Sequence, residues 1–367
     1  MTTSMAAIPL TSFQDIRAQW LELLSQCSVN TFYLMPQWQE VWWDSFHEGR
    51  EMAGFYLKDG IGSVPGNVPG NVPGNVPGNV PGNVPENETG EGDTVTAIAS
   101  MSRQGEALSF VGSTETFDYN DFMVLPGRED EFFSAFLAWL ERERWGVLEL
   151  PSLIEGSPTL EHLPELARRK GYHVEVTEED VTPGLALPST WDEYLSGLSK
   201  KNRHELRRKL RRLESVEGWR WYSVQDPAAV AARLDDFLAL MRQSDPEKDA
   251  YMTAEREAFF RRIAECTSQL DMLRLYFLEM DGGDVATSLC FDYNGTRYLY
   301  NSGYNPEYGY YSVGLLLNAL CLREAIEQGK SYFDFLRGPE PYKYHLGGLN
   351  RTIYRMVVSN PTAVSNS

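Results

Sequence analysis

The sequence predicts an α+β protein whose mixed α/β sheets fall into two related modules. Three observations predict it. Short strands with hairpin signals lead into a helix and a further strand, once in each half of the chain. The 367 residues suit two domains at about 100–200 residues each. Apolar residues at 42% and charged residues at 23% are enough for a core and exclude a wholly disordered chain.

The first module is expected over 8–182. Ile16, Trp20, Leu23 and Leu24 recur at helical spacing behind Thr11 and Ser12, which predicts a helix over 12–25. A second helix is expected over 37–46, with Trp38, Trp42 and Trp43 read as core packing. Strands over 51–58 and 94–102 form a hairpin once 59–93 are set aside. That insertion reads VPGN five times over 64–83, then VPEN. Pro-Gly favours type II turns, and a four-residue period builds no apolar face, so a disordered surface insertion is expected. Strands at 107–111 and 122–125, a helix at 129–144, a strand at 146–150, a helix at 159–170 and a strand at 172–176 follow.

The break is read at Thr182-Pro183-Gly184, and the second module over 183–359. Helices are expected at 190–196 and 200–214, a strand at 219–224, and helices at 227–243 and 253–265. Strands at 270–279, 285–293 and 296–302 are separated by Asp281-Gly282-Gly283 and Asn294-Gly295, both hairpin signals. A helix at 312–328 and a strand at 332–336 complete the core, and 360–367 read as a loose tail.

A formal charge of −19 argues against general binding to DNA or anionic membranes. Cys27, Cys266, Cys290 and Cys321 form no CxxC, and the five histidines form no HExxH, so neither a disulfide framework nor a metal site is expected. No run of 18 apolar residues suggests a membrane span, and the first ten residues lack the features of a signal peptide, so a cytoplasmic protein is expected. GxSxG, GxxxxGK[ST] and a GxGxxG after a strand are absent.

Four stretches carry candidate chemistry. From Tyr298 to Gly329 the chain reads strand, loop and apolar helix, with Ser312-Val313-Gly314 at the junction. Free N–H groups there suit a phosphate, although an ordinary Ser cap has the same look. From Phe333 to Gly348, Asp334, Arg337, Glu340, Tyr342 and Lys343 follow a strand end, as site residues or as a polar turn. The helix KKNRHELRRKLRR over 200–212 has eight basic residues and one acid, beside a Leu206/Leu210/Leu213 stripe. It is either a solvated face or a phosphate-binding one. Asp118, Tyr119 and Asp121 follow a strand in the first module, as bases or as turn caps.

RHELRRKLRRLE at 203–214, YNSGYNPEYGYYSVGLLL at 300–317 and FDFLRGPEPYKY at 333–344 together resemble the GNAT superfamily of N-acyltransferases. More narrowly, they are similar to the CelD/BcsL-like acetyltransferase domain, itself related to Fem-type aminoacyltransferases. The resemblance implies tandem GNAT-like modules, the second holding acyl-CoA (acetyl-CoA first). It places the donor at Asn301, Tyr311, Ser312, Val313, Gly314 and Leu315, and the chemistry at Tyr342, Lys343, Asp334 and Arg337. Asp334, Asp118 or Asp121 is the implied base and Tyr342 the acid; Asp118, Tyr119, Asp121, Arg207, Arg208 and Tyr304 are the implied substrate contacts. The family's glycine pattern is reduced here to Gly309 and Gly314. The expected acceptor is an amine of a small molecule or glycan precursor. The alternatives are aminoacyl transfer from tRNA and a non-catalytic binding role.

Overall fold

The computed structural model describes residues 7–59 and 94–361, so the VPGN insertion and the last six residues lie outside the described residues. The first half contains β1 (Ala7–Pro9), α1 (Arg17–Gln26), α2 (Pro36–Phe46), β2 (Glu51–Lys58), β3 (Val95–Gln104), β4 (Ala107–Phe110) and β5 (Met123–Val124). It continues with α3 (Glu129–Leu140), β6 (Val147–Ile154), α4 (Pro158–Arg169) and β7 (His173–Ala186). The second half opens with α5 (Trp191–Gly197), α6 (Lys200–Glu214), β8 (Arg220–Val224), α7 (Pro227–Ser244), α8 (Pro246–Tyr251) and α9 (Ala254–Gln269). It closes with β9 (Leu273–Met280), β10 (Gly283–Tyr293), β11 (Thr296–Tyr304), α10 (Val313–Glu327), β12 (Tyr332–Asp334), α11 (Pro341–His345) and β13 (Leu349–Ser359). Among the described residues no helix is long and apolar enough to cross a membrane.

The expected turns do their work. Asp281-Gly282 and Asn294-Gly295 have φ of 54° and 78°, and 46° and 74°, the left-handed pairs that two-residue hairpins need. They fold β9, β10 and β11 into an antiparallel meander. β2, β3 and β4 make the corresponding meander in the first half. Each meander then gains one parallel strand, β6 on β4 and β12 on β11. The described strands form one sheet in the order β1-β2-β3-β4-β6-β13-β7-β12-β11-β10-β9-β8, with β5 on β3.

The centre of the sheet departs from the expected layout. Thr182-Pro183-Gly184 is no loop: it lies within β7, which pairs with β12 of the second half. A side chain at Gly184 would meet the Tyr332 hydroxyl at 2.5 Å, so the crossing needs glycine. β13, unexpected from the sequence, returns to pair with β6 of the first half and with β7. Its buried residues serve two cores, Ile353 on one face and Met356 and Val358 on the other, so no single apolar face marks it as a strand. The strand expected over 332–336 ends at Asp334.

One core spans both halves, packing Phe32, Tyr33, Trp38 and Phe117 against Phe291 and Tyr298. Trp38 and Trp42 lie in it, as expected. Two further cores sit under α10 and under α3 with α4.

Candidate active site

β11 and β12 are paired only from Thr296–Tyr332 to Tyr298–Asp334. β11 then runs on to Tyr304, while the other chain turns away through Leu336, held at φ 60°. Among the described residues no strand covers the β11 edge from Leu299 to Tyr304 on that side. Leu289 pairs with Asn301 and Cys290 with Leu299, leaving Tyr300 as a bulge that re-aims the edge. A cleft of about 290 Å³ fills the gap, with Leu299–Ser302 on one wall and Phe335–Arg337 on the other. Tyr33, Glu115 and Asp118 of the first half close it, with Lys248 and Tyr251 of α8 above. Leu299, Phe335 and Tyr342 line the cleft yet pack with the core under α10, so the opening passes through the sheet.

Arg337 joins the halves. Its Nε donates to Asp118 Oδ1 at 3.3 Å and its Nη2 to Ser152 Oγ at 2.7 Å, with Glu179 Oε2 at 3.5 Å. Asp118 also accepts from the Tyr33 hydroxyl at 3.1 Å. Ser152 is left-handed (φ 63°) at a bulge of β6, which aims its hydroxyl at Arg337. Lys343 is 2% exposed and donates to the carbonyls of Leu336, Arg337 and Gly338 at 2.9, 2.6 and 3.0 Å, with Glu340 at 2.8 Å. An ammonium has three donors, so Lys343 is fully committed to holding this wall.

The far end of the gap leads to α10. Ser312 is left-handed (φ 57°, ψ 42°) and caps the helix without a side-chain hydrogen bond. The first turn of α10 carries no acid. Gly314 faces Tyr304, whose ring would lie 3.0 Å from an added Cβ. Beside it a cavity of about 300 Å³ is lined by Lys201, Asn202 and Lys209 of α6, Leu315 of α10, and His345. Arg212 stacks over Tyr310 at 4.3 Å and donates to its carbonyl, fastening α6 to the loop.

The site thus joins a strand edge opened by a departing parallel strand to a helix N-terminus free of acids. Residues 200–344 match the model of the acetyltransferase (GNAT) domain. Over that span the second half of the chain is similar to a GNAT domain. Comparison with curated proteins gives no match. Among solved structures, the chain is similar to FemX, with a TM-score of 0.59 at 11% identity, covering 96% of this chain and 97% of that one. It is also similar to a conserved protein of unknown function from Bacteroides thetaiotaomicron VPI-5482, with a TM-score of 0.57 at 12% identity, covering 97% and 100%. The fold is therefore Fem-like across both halves, and the GNAT likeness lies in the second.

The cleft gathers some of the expected residues and not others. Asp118, Asn301, Arg337, Tyr342 and Lys343 line it. Burial raises the Tyr342 hydroxyl pKa well above the ordinary phenol value. Asp334 lies elsewhere: it is 1% exposed, and it accepts from Tyr119 at 2.9 Å, Arg351 at 2.6 Å and the Leu336 N–H at 2.8 Å. Burial raises its pKa and Arg351 opposes the rise. Tyr119 thus meets Asp334 rather than the cleft. Asp121 is buried at the start of α4, accepting from Ser157 at 2.5 Å, from Thr159, and from the Phe122 N–H at 2.8 Å. Burial pushes its carboxyl up to about 6. Tyr311, Ser312, Val313, Gly314 and Leu315 sit together at the α10 junction, with Tyr304 against Gly314. Arg207 and Arg208 point to solvent from α6, Arg208 paired with Glu205 at 2.6 Å.

Sequence reasoning missed Lys248, Tyr33, Ser152, Glu179 and Arg351. Ser152 and Glu179 act through strand bulges, which leave no local pattern. Lys248 sits on a six-residue helix without a buried residue, so no apolar stripe announces it. Its only signal is the Asp245-Pro246 start of that helix.

Proposed function

We propose that the protein is an N-acyltransferase that moves an acyl group, acetyl first, from acyl-CoA to an amine of a sugar or cell-envelope polysaccharide precursor. The open edge of β11 between the inter-half cleft and the acid-free start of α10 carries this reading. Phosphates of the donor bind at Ser312–Leu315, where helix N–H groups and the dipole favour anions, with Lys201 and Lys209 alongside. The thioester then lies along β11, whose edge N–H groups polarise its carbonyl. The acceptor enters from the cleft side.

The amine nitrogen attacks the thioester carbon and the C–S bond breaks. Asp118, held by Arg337 and Tyr33, takes the proton from the amine. Tyr342, kept protonated by burial, gives one to the leaving thiolate. Lys343 positions Arg337 by fixing its carbonyl. Aminoacyl transfer from tRNA is the second reading, favoured by the exposed Arg207, Arg208 and Arg211 of α6 in a Fem-like fold.

Thermal denaturation with acetyl-CoA, longer acyl-CoAs and free CoA tests the donor. A ligand at about 100 times its Kd adds about 2.7 kcal/mol. The shift is expected with wild type and lost in Gly314→Asp, which sets a carboxylate at the helix N-terminus. A shift with charged tRNA, none with any CoA species, and loss of tRNA binding on charge reversal at Arg207 and Arg208 would favour the second reading.

A further inference from the structure

We propose that the cleft selects an acceptor carrying a carboxylate on the same molecule as its reacting amine, and that Lys248 binds that carboxylate. The part concerning the amine rests on the acyl-transfer reading; the part concerning the anion does not.

Three cations line the cleft among the described residues: Lys248, Arg337 and Lys343. Two are neutralised within the protein. Arg337 has Asp118 at 3.3 Å and Glu179 at 3.5 Å, and Lys343 has Glu340 at 2.8 Å. Lys248 has no carboxylate within ion-pair distance among the described residues. Its Nζ donates to the Ser302 carbonyl and, at 3.4 Å, to Asn301 Oδ1, both uncharged. The two acids whose charge acts most on Lys248 are Glu340 and Asp245, and each holds another group. Asp245 accepts from the Glu247 N–H at 2.8 Å, and Glu340 holds Lys343.

Two neutral acceptors use two of the three ammonium donors. The third has no partner among the described residues, and Lys248 lines the cleft. A half-buried cation without a carboxylate at ion-pair distance is costly, and a bound anion removes that cost. The site also has the right address. Lys248 is anchored at Asn301 and Ser302, on the same open edge of β11 that the amine must approach. An anion held there and an amine at the edge therefore belong to one small molecule. Tyr33, Tyr251 and Tyr300 supply aromatic and hydroxyl surface for its body, whether sugar or peptide.

The test is calorimetric titration of the full chain with paired probes: glucosaminuronic acid against glucosamine, and alanyl-alanine against its C-terminal amide. Charge-assisted hydrogen bonds are worth about 1.5–3 kcal/mol, so wild type should favour the acid of each pair by roughly tenfold or more. Lys248→Met should erase the preference and Lys248→Arg should keep most of it. Equal affinity for both members of each pair in wild type, or a preference that survives Lys248→Met, would overturn the inference. Glucosamine 6-phosphate forms a third arm, and tighter binding than the uronate would overturn the choice of carboxylate. Thermal shifts with acetyl-CoA run in parallel on wild type and Lys248→Met. An acid preference without any acetyl-CoA shift would sink the donor reading and leave the anion site standing.

Discussion

The two halves open the same joint in the sheet and treat it in opposite ways. In the second half β12 leaves β11, and the gap becomes the cleft. In the first half β6 leaves β4, and the chain fills the gap. The connection from β4 to α3 spans 111–128, against 305–312 between β11 and α10. Its extra length folds inward. Asn120 donates its backbone N–H to Ser152 on β6 at 2.9 Å and its side-chain amide to Val111 beyond β4 at 3.0 Å. β5 takes up the free edge of β3. The helices differ too. The first turn of α3 carries Glu129, Asp130 and Glu131, whereas that of α10 has no acid. Three carboxylates at a helix N-terminus satisfy its dipole internally and repel a phosphate. One joint is open and its counterpart is filled, and the filled half supplies Asp118, Tyr33 and Ser152 to the walls and hydrogen bonds of the open one.

Breaking the open joint should have the largest effect. Lys343→Met strands the Leu336, Arg337 and Gly338 carbonyls and frees the wall that carries Arg337. Buried groups left unpaired cost about 1–3 kcal/mol each, so a loss of roughly 3 kcal/mol is expected in urea denaturation. Turnover should fall by roughly a hundredfold or more, because a displaced wall misplaces Asp118. A variant with wild-type turnover would show that the wall does not set the chemistry.

Breaking the filled joint should cost stability. Asn120→Ala leaves the Val111 carbonyl and the Asp121 N–H without their partners, both in a buried stretch. About 2 kcal/mol of destabilisation is expected. Gly314→Asp should do the reverse: it should abolish donor binding, with a lowering of the urea midpoint no larger than that of Asn120→Ala, set by how far the Tyr304 ring, 3.0 Å from the new Cβ, must shift.

Much of this contrast was legible in the sequence, for local reasons. The Asp-Gly and Asn-Gly turns, the strand–loop–helix run into α10 and the Leu stripe of α6 are encoded within a few residues. Asp118 and Arg337 were each readable as polar groups past a strand end, although nothing said that they meet. Their pairing depends on β7 and β13 crossing between the halves. β13 hides because its apolar residues serve two cores. Pro183 and Gly184 look like a linker because Gly184 answers to the Tyr332 ring, 148 positions away. Lys248 was silent because an unpaired cation is visible only after every carboxylate around it has been assigned.

The filled half also holds its own buried anion, and pH sharpens the comparison. Asp121 is pushed from 3.8 up to about 6, by burial first, against the Ser157 and Thr159 hydroxyls that favour its charge. A raised folded-state value means that the native protein binds a proton which the unfolded chain has released between about pH 4 and 6. Stability should therefore fall as pH rises through that window, by about 3 kcal/mol in total. In Asp121→Asn this slope should vanish. Urea midpoints of both proteins at pH 4, 5, 6 and 7 measure the difference, and parallel curves would refute the assignment.

The smallest effect belongs to the three acids of α3. Replacing Glu129, Asp130 and Glu131 together with Gln, Asn and Gln removes favourable dipole interactions worth about 0.3–1 kcal/mol each. The expected result is about 1–2 kcal/mol of destabilisation with acetyl-CoA still binding one per chain. The stoichiometry carries the argument. If the acids alone kept donor from the first half, neutralising them would bring a second equivalent. If Asn120 and β5 have closed the gap, the helix N-terminus has no open strand edge behind it and the ratio stays at one. A helix end attracts phosphate, but on the proposed donor reading only the open edge of β11 leaves room for a thioester to follow it.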